Sequence, residues 1–251
     1  MANKKLVILL LILVTLFWAS NLYAAPLALP KIGLEVGSSD NPEDIALSLQ
    51  IIALLTVLSL APAILILMTS FTRIIVVLSF LRSALATQQM PPNQVLIGLA
   101  LFLTFFIMAP IWTDMNQNAI QPYLNGEIKQ AEAFEKALEP LRTFMFKQTR
   151  EKDLALFVNM SGSLKPNSIE DIPTTTLIPA FAISELKTAF QIGFIIYIPF
   201  IVIDMVVAST LMSMGMLMLP PMMISLPFKL LLFILVDGWN MVVQTLVTSF
   251  R

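Results

Sequence analysis

The chain has 251 residues, of which 57% are hydrophobic and only 12% are charged. A soluble domain carries roughly 25% charged residues, so about half of the usual polar surface is missing. The absence of cysteine and histidine excludes disulfides, thiolate metal sites and histidine acid–base chemistry. The net charge of −1 offers no basic surface for nucleic acid. This composition indicates a membrane protein that performs no covalent chemistry and needs no cofactor.

The N-terminal segment has the pattern of a secretory signal peptide. Two lysines precede the apolar run Leu6–Phe17, and small residues close the segment at Ala24. A basic start, a short apolar run and a small-residue exit are typical of such peptides. We expect a signal peptide over residues 1–24 and a mobile N-terminal arm over 25–44 outside the cytoplasm. The alternative is an uncleaved first membrane helix, although the run is shorter than the roughly 20 residues of a span.

The remaining charges divide the chain into two apolar blocks and one polar insert. Of the 31 charged residues, 18 lie between Thr113 and Lys187. Long loops cross the membrane regardless of their charge, so the insert is expected on the extracytoplasmic side. We therefore predict an all-α protein with a first apolar helical pair over 45–112, a small helical insert over 113–184 and a second apolar helical hairpin over 185–251.

Within the first block, two uncharged stretches are long enough to be membrane spans, Ile45–Met68 and Gln94–Trp112. The connection between them carries Arg73 and Arg82. Nine residues of helix turn through about 900°, which places the two arginines on opposite faces. A short positive connection belongs in the cytoplasm. Arg82 fits anchoring at the membrane interface, and the deeper Arg73 is expected to bind carbonyls or an acid of a partner.

The insert contains one clear helical pattern. Apolar residues recur at three- and four-residue steps from Ile128 to Met145, which predicts an amphipathic helix. Glu132 and Lys136 are spaced to pair on its exposed side, and Pro140 is expected to kink or end it. Residues 159–176 are predicted to form a loop.

The second block is predicted to fold as two long helices. Ser184 is a candidate N-cap for a helix that continues to about Leu211, with a kink at Pro199. Phe228–Phe250 is predicted to be a further span. With the first block, this gives four spans after an exported N-terminus.

Ionisable groups inside apolar segments are functional candidates, because burying a charge in a membrane is costly. The second block carries three, Asp204, Lys229 and Asp237. The two aspartates could form the proton-sharing dyad of an intramembrane aspartyl protease, or a proton relay. The alternative is a structural ion pair between Asp204 and Lys229, which lie at matching heights in a hairpin that turns near residue 216. Asp237 lies two helical turns beyond Lys229, too far for an easy contact.

A methionine-rich segment occupies the predicted turn of this hairpin. Methionine fills irregular gaps in protein cores, so one interpretation is a core turn. The alternative is a deformable apolar constriction, formed by several copies, that seals against ions and yields to a passing chain. The candidate residues for this gasket are Met212, Met214, Gly215, Met216, Leu217 and Met218.

Several stretches together resemble a known family. These are residues 69–82, 88–94, 179–194, 199–221 and 226–239, which include PAFAISELKTAFQIGF from Pro179 and PFIVID from Pro199. They are similar to the motifs of the FliP family of type III export-gate proteins, and the similarity covers nearly all of residues 45–250.

The resemblance implies a core subunit of the gate through which unfolded flagellar subunits are exported. It implies a ring of five copies, completed by FliQ and FliR, docked to FlhB and near FlhA, at the basal body in the bacterial inner membrane. The helices would form a conical stack, partly raised out of the bilayer, rather than four simple spans. The methionine cluster would be the gasket, with Met216 and Met218 facing the pore. The virulence-type (injectisome) homologue is the alternative, although the flagellar members are the ones with a signal peptide.

Overall fold

The computed structural model describes residues 42–87, 89–161, 168–169, 171–216 and 218–250. The predicted signal peptide and residues 25–41 of the predicted arm lie outside the described residues. The chain divides into two compact units, 1–52 and 53–251. The described residues form helices and no strand, as predicted. In chain order the helices are α1 (Pro42–Met68), α2 (Phe71–Ala84), α3 (Asn93–Met115), a π-helical turn (Asn116–Ile120), α4 (Gln121–Leu124), α5 (Gln130–Gln148), α6 (Glu151–Met160), α7 (Thr174–Ser213), α8 (Pro221–Leu235) and α9 (Gly238–Thr248).

Two continuous helical stretches among the described residues are long and apolar enough to cross a membrane. They are Asn93–Leu124, with 32 residues, and α7, with 40 residues. Helices α8 and α9 pass the same test only as a pair, and the chain bends by 64° between them. The predicted span over Phe228–Phe250 is therefore broken by a bend, and its first part belongs to a helix that starts at Pro221. Among the described residues there are thus two candidate spans, or three if the bent pair counts as one, where the sequence predicted four, and part of the predicted span Ile45–Met68 lies outside the described side chains.

The bend between α8 and α9 has a local cause. Asp237 adopts a left-handed backbone with φ of 49°, a conformation that ends a right-handed helix. Aspartate tolerates it better than most side chains do. Gly238 then starts α9, and its backbone lies against the ring of Phe233, where an added Cβ would come within 2.2 Å of ring carbons.

The predicted start of the long helix was also wrong. Helix α7 begins at Thr174 after Pro173, so Ser184 lies ten residues inside it and caps nothing. The early turns bury Leu177 and Phe181. This burial stabilises helix N-terminal to Ser184 and offsets the hydrogen bond lost at Pro179.

The core forms where α2 packs against the first half of α7. The buried side chains of α2 recur at helical spacing and face α7, α3 and the end of α5. Helices α2 and α7 approach closely at Gly193, because a Cβ there would lie 2.6 Å from Cγ of Phe80. The main core residues are Phe71, Ile74, Val77, Leu78, Leu81, Leu96, Ala100, Phe144, Met145, Leu177, Phe181 and Ala189.

The insert follows its prediction in part. Helix α5 covers most of the predicted amphipathic segment and continues through Pro140, and Glu132 and Lys136 pair at 3.0 Å. The predicted loop over 159–176 corresponds to the connection between Met160 and Thr174. The short helix α6 lies just before that connection and was not predicted as a separate element.

Candidate functional site

The methionine-rich segment joins α7 to α8. Helix α7 ends in a Schellman motif: the N–H of Gly215 donates to the carbonyl of Met212 at 3.1 Å, and the N–H of Met216 donates to that of Leu211 at 3.0 Å. This ending needs a left-handed residue, and Gly215 supplies it with φ of 74°. Pro220 and Pro221 then begin α8. Local sequence therefore interrupts the helix at the predicted turn.

The methionine side chains of this segment point away from the core of their own chain. Met218 is 98% exposed and Met216 is 42% exposed, while Met212 and Met214 are also largely exposed. Leu217, the remaining side chain in the predicted gasket, lies outside the described residues. The described methionines of this segment are therefore exposed at the tip of a helical hairpin and do not pack into the core of this chain.

An ion pair joins the two helices below this loop. Nζ of Lys229 lies 2.6 Å from Oδ2 of Asp204, and Ser225 donates to the other carboxylate oxygen at 2.5 Å. Lys229 is buried, whereas Asp204 keeps 27% of its side-chain surface. Asp204 comes from α7, and both of its partners come from α8. The structure thus brings together the two residues that were expected to pair.

Asp237 does not join this cluster. It is exposed at the bend before α9, eight residues and about 12 Å of helix beyond Lys229. Both carboxylate oxygens of Asp204 already have partners from α8. A protease dyad needs two carboxylates close enough to share one proton, and this arrangement does not provide them.

Arg73, near the start of α2, forms a second buried polar cluster. Its Nε donates to Oε2 of Glu185 at 3.0 Å, and its Nη2 donates to Oε1 of Glu185 and to Oε1 of Gln148. Its Nη1 donates to both the carbonyl and the hydroxyl of Ser249. A guanidinium has five N–H groups, and each is matched by one of these five contacts. The buried charge is therefore fully satisfied.

The C-terminal residues close this cluster. The guanidinium carbon of Arg73 lies 3.8 Å from the centre of the Phe250 ring, and Gln148 donates to the carbonyl of Phe250 at 3.2 Å. The ring of Phe250 also stacks on Phe144. We call Arg73, Gln148, Ser249 and Phe250 the C-terminal clasp.

Sequence reasoning missed Glu185 as the partner of Arg73. Arg73 was expected to bind carbonyls or an acid of a partner, and it binds the carbonyl of Ser249 and an acid of the same chain, 112 residues away. The available signal was that Glu185 closely follows the apolar stretch Ile178–Ile183 of α7. Arg82 faces elsewhere, as predicted, and its Nη1 donates to Oδ1 of Asn93 and to the carbonyl of Pro91 at the start of α3.

A third polar cluster ties the insert to α7. The hydroxyl of Ser184 donates to Oδ2 of Asp153 at 2.6 Å and accepts from the backbone N–H of Arg150 at 3.1 Å. Arg150 also pairs with Asp153. Desolvation raises the pKa of Asp153, but the hydrogen bonds from Ser184 and Arg150 outweigh it and hold the pKa below its ordinary value. Ser184 therefore anchors α6 where a helix cap was expected.

The described residues contain no group of three Asp or Glu side chains placed to hold a metal ion. Each of the three clusters joins different helices, and the pair of Asp204 with Lys229 joins the two helices that flank the methionine-rich segment.

Comparison with known proteins identifies the family. The family model described as FliP family matches residues 54–246. The chain is 63% identical over 217 residues to the flagellar biosynthetic protein FliP of Bacillus subtilis, covering 86% of this chain and 98% of that protein. It is 54% identical over 204 residues to FliP of Pectobacterium carotovorum, covering 81% and 79%, and 48% identical over 224 residues to FliP of Treponema pallidum, covering 88% and 83%. The chain belongs to the FliP family of flagellar biosynthetic proteins.

Proposed function

We propose that this chain is a core subunit of the flagellar type III export gate and that its methionine-rich loop seals the pore. The observation that carries this proposal is the exposure of Met212, Met214, Met216 and Met218 at the tip of a hairpin whose helices are joined by a partly buried ion pair. Membership of the FliP family supports the flagellar role.

The side-chain chemistry of the loop suits a deformable seal. Methionine is unbranched and polarizable, so several side chains can fill a gap of changing shape. An apolar constriction blocks hydrated ions, and thioether chains can move aside for an unfolded polypeptide. Met218 and Met216 are the side chains that we place at the pore. The ion pair of Asp204 with Lys229 would hold each copy of the loop at the same height.

The assembly that this requires is a ring of copies of the chain. Much of α3, the second half of α7 and α8 exposes large apolar side chains, including Phe102, Phe194 and Leu235. Exposed apolar surface of this extent needs cover from lipid or from other subunits. We propose that neighbouring copies, in a ring of five, cover part of it, with FliQ and FliR completing a conical gate beside FlhB and FlhA.

The predicted divisions of the chain fit this proposal. Residues 1–24 would be removed as a signal peptide on export, and residues 25–44 would form an arm on the periplasmic side. The insert over 113–184 would pack between copies, since α5 and α6 attach to α7 through Phe144 and Ser184. The gate would sit in the inner membrane at the flagellar basal body.

A methionine-to-alanine series tests the seal. We expect that replacing Met214, Met216 and Met218 with alanine leaves the assembled complex intact but increases its ion conductance in a planar bilayer. The matched control replaces Met160 and Met241, which are also exposed but lie on α6 and α9. Unchanged conductance in the loop variant, with normal assembly, would overturn the proposed seal.

Two substitutions distinguish an enzymatic function from a structural one. A protease using both aspartates would lose activity equally in Asp204→Asn and Asp237→Asn. A structural role predicts impaired assembly in Asp204→Asn and a near-normal complex in Asp237→Asn. Export of flagellar subunits and motility, measured in a deletion strain carrying each variant, distinguish these outcomes and also separate a flagellar role from the injectisome alternative.

A further inference from the structure

The C-terminal clasp lies at the end of α9, the helix that continues the hairpin beyond its bend. Helix α9 buries residues at four-residue spacing, Gly238, Val242 and Leu246, and this stripe leads to Phe250. Apolar contacts are non-directional. A shift of α9 by one helical turn, about 5.4 Å, would replace each stripe residue with its neighbour. The stripe alone therefore specifies the register of α9 weakly.

The clasp removes this ambiguity. Arg73 donates to the carbonyl and hydroxyl of Ser249, and Gln148 donates to the carbonyl of Phe250. A one-turn shift would leave two N–H groups of a buried guanidinium without acceptors, which is costly. The ring of Phe250 adds a cation–π contact at 3.8 Å. Only one register of α9 satisfies all of these groups.

The register of α9 is transmitted to the methionine loop through α8. Helix α8 connects Pro221, next to the loop, to the bend at Asp237, and it is about 22 Å long. At the bend, Phe233 of α8 packs against both Gly238 and Trp239 of α9, and these contacts couple the two helices. We infer that Gln148, Ser249 and Phe250 are positioning residues that set the height of the methionine loop through Arg73 and α9. The functional meaning of that height rests on the proposed role of the loop.

The absence of cysteine makes the inference directly measurable. Spin labels on Met218→Cys and Lys152→Cys report the distance from the loop to exposed α6, by double electron–electron resonance. The complex is purified with a large excess of unlabelled subunits, so that each assembly holds at most one labelled copy. We expect a narrow distribution in the labelled parent. In Phe250→Leu and Gln148→Leu it should broaden or shift by about 5 Å, the rise of one helical turn.

Three further variants make the result decisive. Gln244→Ala changes an exposed residue of α9 and should leave the distribution unchanged, and Phe250→Tyr should restore it by keeping the ring. If Phe250→Leu does not accumulate, Ser249→Ala removes a single acceptor and should give a smaller broadening. Parent-like distributions in Phe250→Leu, Gln148→Leu and Ser249→Ala would mean that the Asp204–Lys229 pair alone places the loop, and would overturn the inference. The distances do not depend on ion conductance, so failure of the seal and failure of the clasp are separate results.

Discussion

The carboxylate of Asp204 and the ammonium of Lys229 meet at 2.6 Å although the residues are 25 positions apart. The hydroxyl of Ser225, which also lies on α8, donates to the other carboxylate oxygen of Asp204. Because both partners lie on α8 and Asp204 lies on α7, the contact fixes the rotation and the relative height of the two helices. The position of the methionine loop at the tip of the hairpin follows from that arrangement of the two helices.

Reversing one charge of this pair should prevent assembly. Asp204→Lys or Lys229→Asp places two like charges in a partly buried site, with an expected loss of about 3 kcal/mol. The double reversal should recover part of the loss, because the attraction is restored. The amount of detergent-resistant complex, measured on native gels, reports the effect. If the double variant assembles no better than either single variant, the pair is not what holds the hairpin.

Arg73→Lys should destabilise the protein, although a conservative change of this kind is usually tolerated. An ammonium carries three donors, so at least two of the five acceptors around Arg73 lose their partner. Each unmatched buried group costs about 1–3 kcal/mol. We expect much less protease-resistant protein in membranes. Arg82→Lys is the matched control, since Arg82 is only half-buried. Equal accumulation of the two variants would contradict the assigned role of Arg73.

Replacing both members of the buried pair should be milder than replacing one. Arg73→Met leaves Glu185 buried without a cation, whereas Arg73→Met with Glu185→Leu removes both charges. The double variant should therefore accumulate to a higher level than Arg73→Met alone. The same protease-resistance measurement shows whether Glu185→Leu adds to the loss caused by Arg73→Met or reverses part of it.

The anchor between α6 and α7 should weaken in acid. The folded pKa of Asp153 lies below its ordinary value of 3.8. Its ionised form therefore stabilises the fold fully above that value, and the contribution is lost as pH falls through the lower folded pKa. The Tm difference between the parent and Asp153→Asn should be largest near neutral pH and should shrink below about pH 4. Glu151→Gln, in the exposed first turn of α6, is the control. A difference that stays constant with pH would argue against this assignment.

Gly193→Ala should separate α2 from α7. The new Cβ would lie 2.6–2.9 Å from Cγ, Cδ2 and Cβ of Phe80, and rotation of the side chain cannot move the Cβ atom away. Overpacking of this kind costs about 1–3 kcal/mol. Adding Phe80→Ala should relieve the clash and raise the Tm of Gly193→Ala. The control Gly98→Ala has open space around its Cβ. A Tm for Gly193→Ala equal to that of Gly98→Ala would refute the close approach.

Sequence patterns predicted the parts of this fold that depend on nearby residues. The pairing of Asp204 with Lys229 follows from the midpoint of a hairpin whose turn is marked by Gly215 and two prolines. The end of α7 follows from the same glycine. The Asp-Gly dipeptide at 237–238 carried a turn signal as well, but the surrounding apolar residues favoured a continuous span.

The contacts that sequence did not predict join distant segments. Glu185 and Arg73 are separated by the whole insert, so no helical spacing relates them. Ser184 matched a local capping preference, but burial of Leu177 and Phe181 extended the helix past it. In both cases long-range packing decided the outcome, and local propensity carried no information about it.

The five hydrogen bonds that Arg73 donates can form only in a fixed order while the chain is being synthesised. Its acceptors are made in the sequence Gln148, Glu185 and Ser249, and the last of them follows Arg73 by 176 residues. A nascent chain therefore carries a guanidinium with unfilled donors until Ser249 has been made. A chain truncated before Ser249 would leave these two donors unmatched in a buried site, at a cost of about 1–3 kcal/mol for each group.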